Sequence, residues 1–241
     1  MPNYGDPEYW NKRYKDQANT VFDWLEDYKS LKDILKEFCH KESRVLVLGC
    51  GNAEFSEEMY DDGFKHIYNI DISDVVIQQM RKRNGERDLM TYEVMDVRKL
   101  EYKDDYFDVA IDKSTIDALL CGDDAFLNVA LMMSEVQRVL KTDGVYMAIS
   151  YGRPENRIFH FERPNLDFAT KQFVLYPADC ATEEEKSDKS HFVYLCTKGS
   201  KAKENHEHYW ESVHEQLEKE AKEERLLEDE KEGEETESAG Q

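Results

Sequence analysis

Short apolar runs alternate with more polar stretches along the chain, and this alternation predicts strands and helices in turn. Residues 45–48 are continuously apolar and rich in β-branched side chains, as expected for a parallel strand that is covered on both faces. Similar runs predict strands at 67–70, 91–95, 107–111 and 145–150. The segments around them predict helices near 31–38, 53–60, 75–84 and 127–140. This order is typical of a Rossmann-like parallel sheet with helices on both faces.

Two further β-rich runs, 168–176 and 191–197, follow the predicted parallel part of the sheet. The acidic segment 183–188 between them has little helical pattern, so the two runs are predicted to pair as an antiparallel hairpin. The fold class is therefore α/β, with a mostly parallel seven-stranded sheet and an antiparallel last strand.

The turn after the first strand is the main candidate for ligand binding. Gly49 and Gly51 have no Cβ and let the backbone approach a ligand closely, while the next helix points its free N–H groups at the same place. The dinucleotide fingerprint needs a third glycine where this chain has Glu54. That carboxylate would repel a pyrophosphate. A cofactor without phosphate groups and with a cationic amino-acid portion suits the turn better, and S-adenosylmethionine is the common cofactor of this kind. A purely structural strand-to-helix turn is the alternative.

Acidic residues follow the second and third predicted strands. Asp71 is placed to accept the hydroxyl protons of a ribose, although capping of the next helix would also explain it. Asp96 can accept the exocyclic amine of adenine, and Val97 can pack on the ring. Both positions fall at the carboxyl edge of the sheet, where such folds bind their ligands.

Asp112 and Asp117 follow the fourth predicted strand, at the expected mouth of the site. They are candidates to orient or neutralise an incoming amine, and ordinary complements of a helix dipole are the alternative. The polar segment 153–163 further along either shapes the substrate entrance or is a solvated connection.

Residues 1–43 are predicted to form an aromatic cap on this domain. Trp10 and Tyr14 are four apart on one helical face, and Trp24 follows. Their spacing is consistent with simple packing and also with a cover over the open end of a cofactor cleft.

Composition and charge indicate which classes of binding partner are unfavourable for this chain. The 241 residues have a net charge of −21 and no clustered Lys and Arg, which argues against nucleic-acid binding. We expect no membrane span and a cytoplasmic location, because no long apolar run or signal sequence is present. Five cysteines without C-x-x-C spacing indicate free thiols rather than a metal site.

The C-terminal part of the chain differs from the rest. Residues 1–200 are predicted to form one domain, and 201–241 a charged helix to about residue 227 followed by a disordered acidic tail. The tail either recruits a basic partner or acts as an inert solubilising end.

Taken together, the chain resembles the class I, seven-β-strand S-adenosylmethionine-dependent methyltransferases. Within them it is most similar to the elongation factor 1-alpha lysine methyltransferases of the methyltransferase-like group. The similarity covers roughly residues 4–199 and is carried by Glu8-Tyr-Trp-Asn-Lys-Arg-Tyr14, Asp23-Trp24, Val45-Leu-Val-Leu-Gly-Cys-Gly-Asn52, Met95-Asp-Val-Arg-Lys-Leu100, Phe107-Asp-Val109 and Asp112-Lys-Ser-Thr-Ile-Asp-Ala-Leu-Leu120.

The resemblance implies a site and an activity. The implied cofactor contacts are Trp10, Tyr14, Trp24, Gly49, Asp71, Ile72, Asp96, Val97 and Lys113. The implied reaction is direct in-line transfer of a methyl group to an exposed lysine of elongation factor 1-alpha or a similar protein. A small-molecule methyltransferase with a pocket enclosed by the 153–163 segment and the cap, and a non-catalytic subunit of a larger assembly, are the alternatives.

Two positions depart from the pattern of the resemblance. Val47 stands where many class I enzymes have an acid, a change that the elongation-factor subgroup tolerates. Ser114 stands where that subgroup usually has glycine, so the turn at the substrate mouth is expected to have a different shape.

Overall fold

The seven predicted strands form one sheet in the computed structural model, which describes residues 4–18, 20–176, 182 and 189–239. In chain order the strands are β1 (Val45–Leu48), β2 (Ile67–Asp71), β3 (Met90–Val94), β4 (Phe107–Lys113), β5 (Leu140–Ser150), β6 (Phe168–Leu175) and β7 (His191–Lys198). The predicted acidic loop 183–188 lies outside the described residues.

The strands are arranged in the order β3-β2-β1-β4-β5-β7-β6. The first five pair in parallel, and β7 lies antiparallel between β5 and β6. The predicted fold class is therefore confirmed, including the antiparallel hairpin of β6 and β7. The order in which the strands are added to the sheet reverses between β1 and β4. Folds of this kind bind ligands in the crevice that this reversal leaves at the carboxyl end of β1.

The described helices are α1 (Pro7–Asp16), α2 (Tyr28–Lys36), α3 (Phe55–Asp61), α4 (Asp74–Arg83), α5 (Thr115–Leu119), α6 (Ala125–Val139), α7 (Ile158–Phe161) and α8 (Ala202–Ala239). The helices predicted near 31–38, 53–60, 75–84 and 127–140 are present as α2, α3, α4 and α6 with small shifts at their ends, whereas α7 lies in the polar segment 153–163, for which no helix was predicted. The largest difference among the strands is at β5, which begins at Leu140 rather than at 145. Its pairing with β4 changes register between Phe107 and Val109, so the polar stretch after Leu140 is accommodated as an irregularity.

Two hydrophobic layers explain why β1 is apolar throughout. Val45 and Val47 point into the layer that contains α2, α3 and α4, and Leu46 and Leu48 point into the layer that contains α6. Successive side chains of a strand face opposite sides, so a strand buried on both sides has no position for a polar residue. All four residues are buried.

Hydrogen bonds to Asn52, next to the glycine turn, and to Ser73, at the start of α4, hold the N-terminal cap on the domain. Asn52 accepts a bond from the Phe22 backbone N–H (2.9 Å) and donates one to the Thr20 carbonyl (2.8 Å). On α1, Asn11 accepts a bond from the Ser73 hydroxyl at 2.6 Å. The cap therefore has a defined position next to the turn.

The C-terminal helix is longer than predicted. Leu217 and Ala221 are buried, and α8 packs on α6 along this side. Tyr209, two turns before Leu217, is 41% exposed. The helix continues to Ala239, past its predicted end near Leu227. Within the described residues, no helix combines the length and apolarity needed to cross a bilayer.

Candidate active site

A cavity of about 300 Å³ lies at the carboxyl edge of the sheet, under the N-terminal cap. This volume is at the lower end of the range for small-molecule and cofactor sites. All of the predicted cofactor residues line it, namely Trp10, Tyr14, Trp24, Gly49, Gly51, Asp71, Ile72, Asp96, Val97 and Lys113. The structure thus brings positions from five separate parts of the chain into one space.

Glycine is required at both positions of the turn after β1. Gly49 and Gly51 have φ angles of +58° and +54°, in the left-handed region. A Cβ on Gly49 would lie 2.2 Å from Thr115 Oγ1, and one on Gly51 would lie 2.9 Å from the Tyr14 hydroxyl oxygen. Thr115 donates a hydrogen bond to the Leu48 carbonyl at 2.9 Å, so β1 and α5 meet tightly here.

Asp71 is held in place by backbone N–H groups. Its Oδ2 accepts from Gly51 N and its Oδ1 from Ser73 N, both at 2.9 Å. Burial raises the pKa of Asp71 to about 6, and the hydrogen bonds from these N–H groups only partly oppose that effect. Ser73, and not Asp71, caps α4, because its hydroxyl accepts from Val76 N. Each carboxylate oxygen can still accept a second hydrogen bond from a ligand in the cavity.

Asp96 has a partner that the sequence did not suggest. Arg98 donates from Nε and Nη2 to its carboxylate, the shortest contact being 2.6 Å from Nη2 to Oδ2. Burial opposes ionisation of Asp96, but the bonds from Arg98 outweigh it and hold the pKa of the carboxyl below its usual value. Val97 beside it is buried and presents an apolar surface to the cavity.

Lys113 connects β4 to the N-terminal cap. Its ammonium bonds to the Asp23 carboxylate and to the Trp24 carbonyl, the latter at 2.8 Å. Burial lowers the pKa of Lys113, although the bond to Asp23 works in the opposite direction. Because Trp24 lines the cavity, this contact fixes one of its aromatic walls.

The cap aromatics line the cavity and also pack on one another, so their positions agree with both interpretations of their spacing. Trp10 and Tyr14 are stacked, with ring centroids 5.9 Å apart, and both line the cavity together with Trp24. Burial, followed by the nearby Asp71, raises the pKa of Tyr14, so its hydroxyl stays protonated as a donor.

Asp112 does not reach the cavity. It is fully buried, and its oxygens accept bonds from Thr115 N (2.7 Å), Ile116 N (3.0 Å) and the Tyr146 hydroxyl (2.8 Å). Burial raises its pKa to about 7. Asp112 therefore connects the start of α5 to the sheet. Its position does not support the prediction that it orients a substrate amine.

Asp117 does line the cavity, but it is engaged on both oxygens. Oδ1 accepts from Ser150 Oγ (2.5 Å) and Arg157 Nη2 (2.7 Å), and Oδ2 accepts from Ser114 Oγ (3.1 Å) and Tyr151 N (3.2 Å). Arg157 belongs to the polar segment 153–163, which is therefore not simply a solvated connection here. Asp117 is a buried ion-pair partner, and not a free base.

Several lining residues were not predicted, and their signals differ. Arg98 and Thr115 lie inside the motifs that carry the resemblance, so local sequence could have indicated them. Phe22 and Tyr151 come from irregular segments and gave no periodic signal. The described residues contain no group of His, Cys, Asp and Glu placed to hold a metal ion, and Cys39, Cys50, Cys121 and Cys196 are free.

The residues present fit S-adenosylmethionine. Two glycines leave room for close approach, an oriented carboxylate follows β2, and aromatic and apolar side chains surround them. Among the described residues that line the cavity the cations are Arg98 and Lys113, and they are paired with Asp96 and Asp23. The fold and the cavity together are typical of a methyltransferase domain.

The chain belongs to the methyltransferase-domain family, whose model matches residues 39–223. It is 35% identical over 201 residues to a Mus musculus protein named eEF1A lysine and N-terminal methyltransferase, covering 81% of this chain and 29% of that relative. It is 33% identical over 177 residues to EEF1A lysine methyltransferase 4 of Mus musculus, covering 70% of this chain and 69% of the relative. This chain thus spans less than a third of the first relative and about two thirds of the second.

Solved structures share the fold at low sequence identity. An S-adenosylmethionine-dependent methyltransferase from Methanosarcina mazei has a TM-score of 0.56 at 16% identity, over 69% of this chain and 97% of its own. The N-methyltransferase NodS from Bradyrhizobium japonicum, solved with S-adenosyl-L-homocysteine, has a TM-score of 0.56 at 12% identity, over 78% of this chain and 98% of its own.

Proposed function

We propose that this protein is an S-adenosylmethionine-dependent protein-lysine N-methyltransferase that acts on elongation factor 1-alpha or a similar protein in the cytoplasm. The observation that carries the proposal is the joining of all predicted cofactor residues in one cavity of a chain that is similar to proteins named for eEF1A lysine methylation.

The chain's own residues would hold the cofactor in place. Asp71 would accept the ribose hydroxyls, Asp96 and Val97 would receive the adenine, and Lys113 would lie beside the methionine part. When bound, S-adenosylmethionine would supply a methyl group on a sulfonium, the C–N bond to the lysine forming as the S–C bond breaks, with S-adenosylhomocysteine as the other product.

No side chain is needed as a strong base in this proposal. The lysine must lose a proton before it can attack, and desolvation at the cavity mouth lowers an amine pKa in the required direction. Asp117 is neutralised by Arg157 at 2.7 Å, so it does not hold the amine in its charged form as a free carboxylate would. Positioning and exclusion of water supply most of the rate enhancement.

The small-molecule alternative needs an enclosed pocket between the 153–163 segment and the cap. Residues 153–163 contribute none of the side chains that line the cavity. The substrate end is instead bordered by the exposed ring of Tyr151, which a protein surface can reach.

Calorimetry followed by a transfer assay tests the proposal. Asp71→Ala is expected to abolish micromolar binding of S-adenosylmethionine, whereas Asp88→Ala, at an exposed position that does not line the cavity, is expected to bind as the intact protein does. Mass spectrometry should then find methyl-lysine on purified elongation factor 1-alpha. If the intact protein does not bind S-adenosylmethionine, the proposal that it is a methyltransferase is rejected. Binding without transfer to any protein would favour a non-catalytic subunit.

A further inference from the structure

Tyr151 is a large aromatic residue that remains exposed at the substrate end of the cavity. It follows β5 directly and lines the cavity, yet 57% of its surface is accessible. Its ring meets His191 edge-on, with centroids 5.2 Å apart, and His191 Nδ1 lies 2.8 Å from the Glu26 carboxylate. The ring therefore contacts β7 through His191 and still remains exposed.

The backbone that carries this ring is held by buried groups. Asp117 accepts from Tyr151 N at 3.2 Å, Ser150 Oγ accepts from Gly152 N at 2.9 Å, and the Tyr194 hydroxyl donates to the Gly152 carbonyl at 2.7 Å. Arg157 crosses so close to Gly152 that a Cβ there would lie 2.1 Å from its Cζ. A fixed backbone below an exposed ring is unlike a surface aromatic on a loose connection.

We propose that Tyr151 is the residue against which the substrate lysine side chain lies as it enters the cavity. This inference rests on the proposed function and names the substrate-contacting residue of the same site. A tyrosine ring offers an apolar face to the four methylene groups of a lysine, and its π face also attracts the ammonium before the proton is lost.

The interior of the cavity favours the neutral amine because the amine loses water as it enters. Desolvation lowers the pKa of the amine and so favours its reactive, neutral form. Lys113 lines the same cavity, but its ammonium is paired with the Asp23 carboxylate and adds little repulsion of its own.

The experiment compares Tyr151→Ala and Tyr151→Phe with Tyr176→Ala. Tyr176 is equally exposed at 57% but does not line the cavity, so it is a matched control. We expect Tyr151→Ala to raise KM for the protein substrate by about tenfold, with an unchanged Kd for S-adenosylmethionine. Tyr151→Phe keeps the ring and should resemble the intact enzyme, as should Tyr176→Ala. A wild-type KM in Tyr151→Ala would overturn the inference.

A binding measurement separates this inference from the proposed function. Protein saturated with S-adenosylhomocysteine is titrated with a lysine-containing peptide of elongation factor 1-alpha, and amide NMR shifts are followed. Shifts at Tyr151 and Gly152 that are lost in Tyr151→Ala would support the inference even if the intact protein transfers no methyl group. Absence of shifts at both residues would refute it, whether or not transfer occurs.

Discussion

Asp71 makes cofactor binding depend on pH. Its pKa is raised to about 6 by burial, so the carboxyl takes up a proton as the pH falls through that value. Only the ionised form can accept both ribose hydroxyl protons. If that form alone binds, the Kd for S-adenosylmethionine should be about tenfold higher at pH 5 than at pH 7.5, with little change above pH 7.

Calorimetry at a series of pH values measures this dependence. Asp71→Asn is the control, because an amide does not titrate in this range, and its weak binding should be flat with pH. A wild-type Kd that stays constant from pH 5 to pH 7.5 would show that ionisation of Asp71 does not limit binding.

Gly49 is the position where the smallest addition should be most damaging. Alanine at this site would have to keep a φ of +58° and place its Cβ 2.2 Å from Thr115 Oγ1. We expect Gly49→Ala to lower the free energy of unfolding by about 1 to 3 kcal/mol and to weaken cofactor binding, because the turn must move.

Gly85→Ala is the matched comparison for Gly49→Ala. Gly85 has no positive φ, and its nearest contact for a Cβ is the Arg81 carbonyl oxygen at 3.6 Å. Urea denaturation should therefore show little change for Gly85→Ala. Equal losses of stability in the two variants would contradict the close approach of β1 and α5.

Sequence reasoning at this scale selected residues that line one cavity, but it missed their hydrogen-bond partners. Asp71 and Asp96 could be placed because the ends of parallel strands meet at one edge. The Arg157 partner of Asp117 is 40 positions away in the chain, and no local pattern encodes that pairing. Asp112 was assigned to the cavity because it ends a strand, but its side chain instead points to Tyr146 and α5.

Among the elements, the turn from β4 into α5 has a left-handed residue where the elongation-factor subgroup usually has glycine. Ser114 adopts a φ of +70°, the conformation that glycine adopts most easily. The Ser114 hydroxyl donates to Asp117 at 3.1 Å, a contact that glycine could not make.

Asp112 should act on stability rather than on turnover. Its pKa in the folded protein is about 7, above the ordinary value of 3.8, so folding binds a proton between these values. The contribution of Asp112 is most favourable below about pH 4 and is lost as the pH rises through about 7. Asp112→Asn should therefore reduce the fall in the free energy of unfolding across this range.

Urea denaturation of both proteins from pH 4 to pH 7.5 measures the difference. Asparagine keeps an acceptor for the α5 N–H groups, so cofactor binding and methyl transfer should be retained. If Asp112→Asn folds and binds S-adenosylmethionine but no longer transfers a methyl group, Asp112 takes part in the reaction.

Most element positions could be predicted, and their ends could not. The period-two and helical patterns located all seven strands because each is buried on at least one side or paired in the hairpin. α8 extends past Leu227 although the sequence has no large apolar residue between 228 and 239. Glu and Lys are good helix formers, so a charged segment can continue a docked helix without tertiary contacts.

At the scale of the whole molecule, the distribution of charge bears on partner binding. The net charge is −21, and residues 228–241 contain seven acidic residues and one basic residue. Deleting them would change the net charge to −15. A strongly negative protein attracts basic partners over distances of about 10 Å at 0.1 M salt.

If these residues help to recruit a basic substrate protein, the deletion should act on association alone. We expect kcat/KM for elongation factor 1-alpha to fall severalfold at low salt, and the difference to shrink as screening increases toward 0.5 M salt, while the Kd for S-adenosylmethionine stays the same. A variant of full length, with the seven acids replaced by their amides, should behave like the deletion, because charge and not helix length sets the attraction. Unchanged kcat/KM and an unchanged salt dependence in both variants would mean that this end of the chain serves solubility and takes no part in substrate capture.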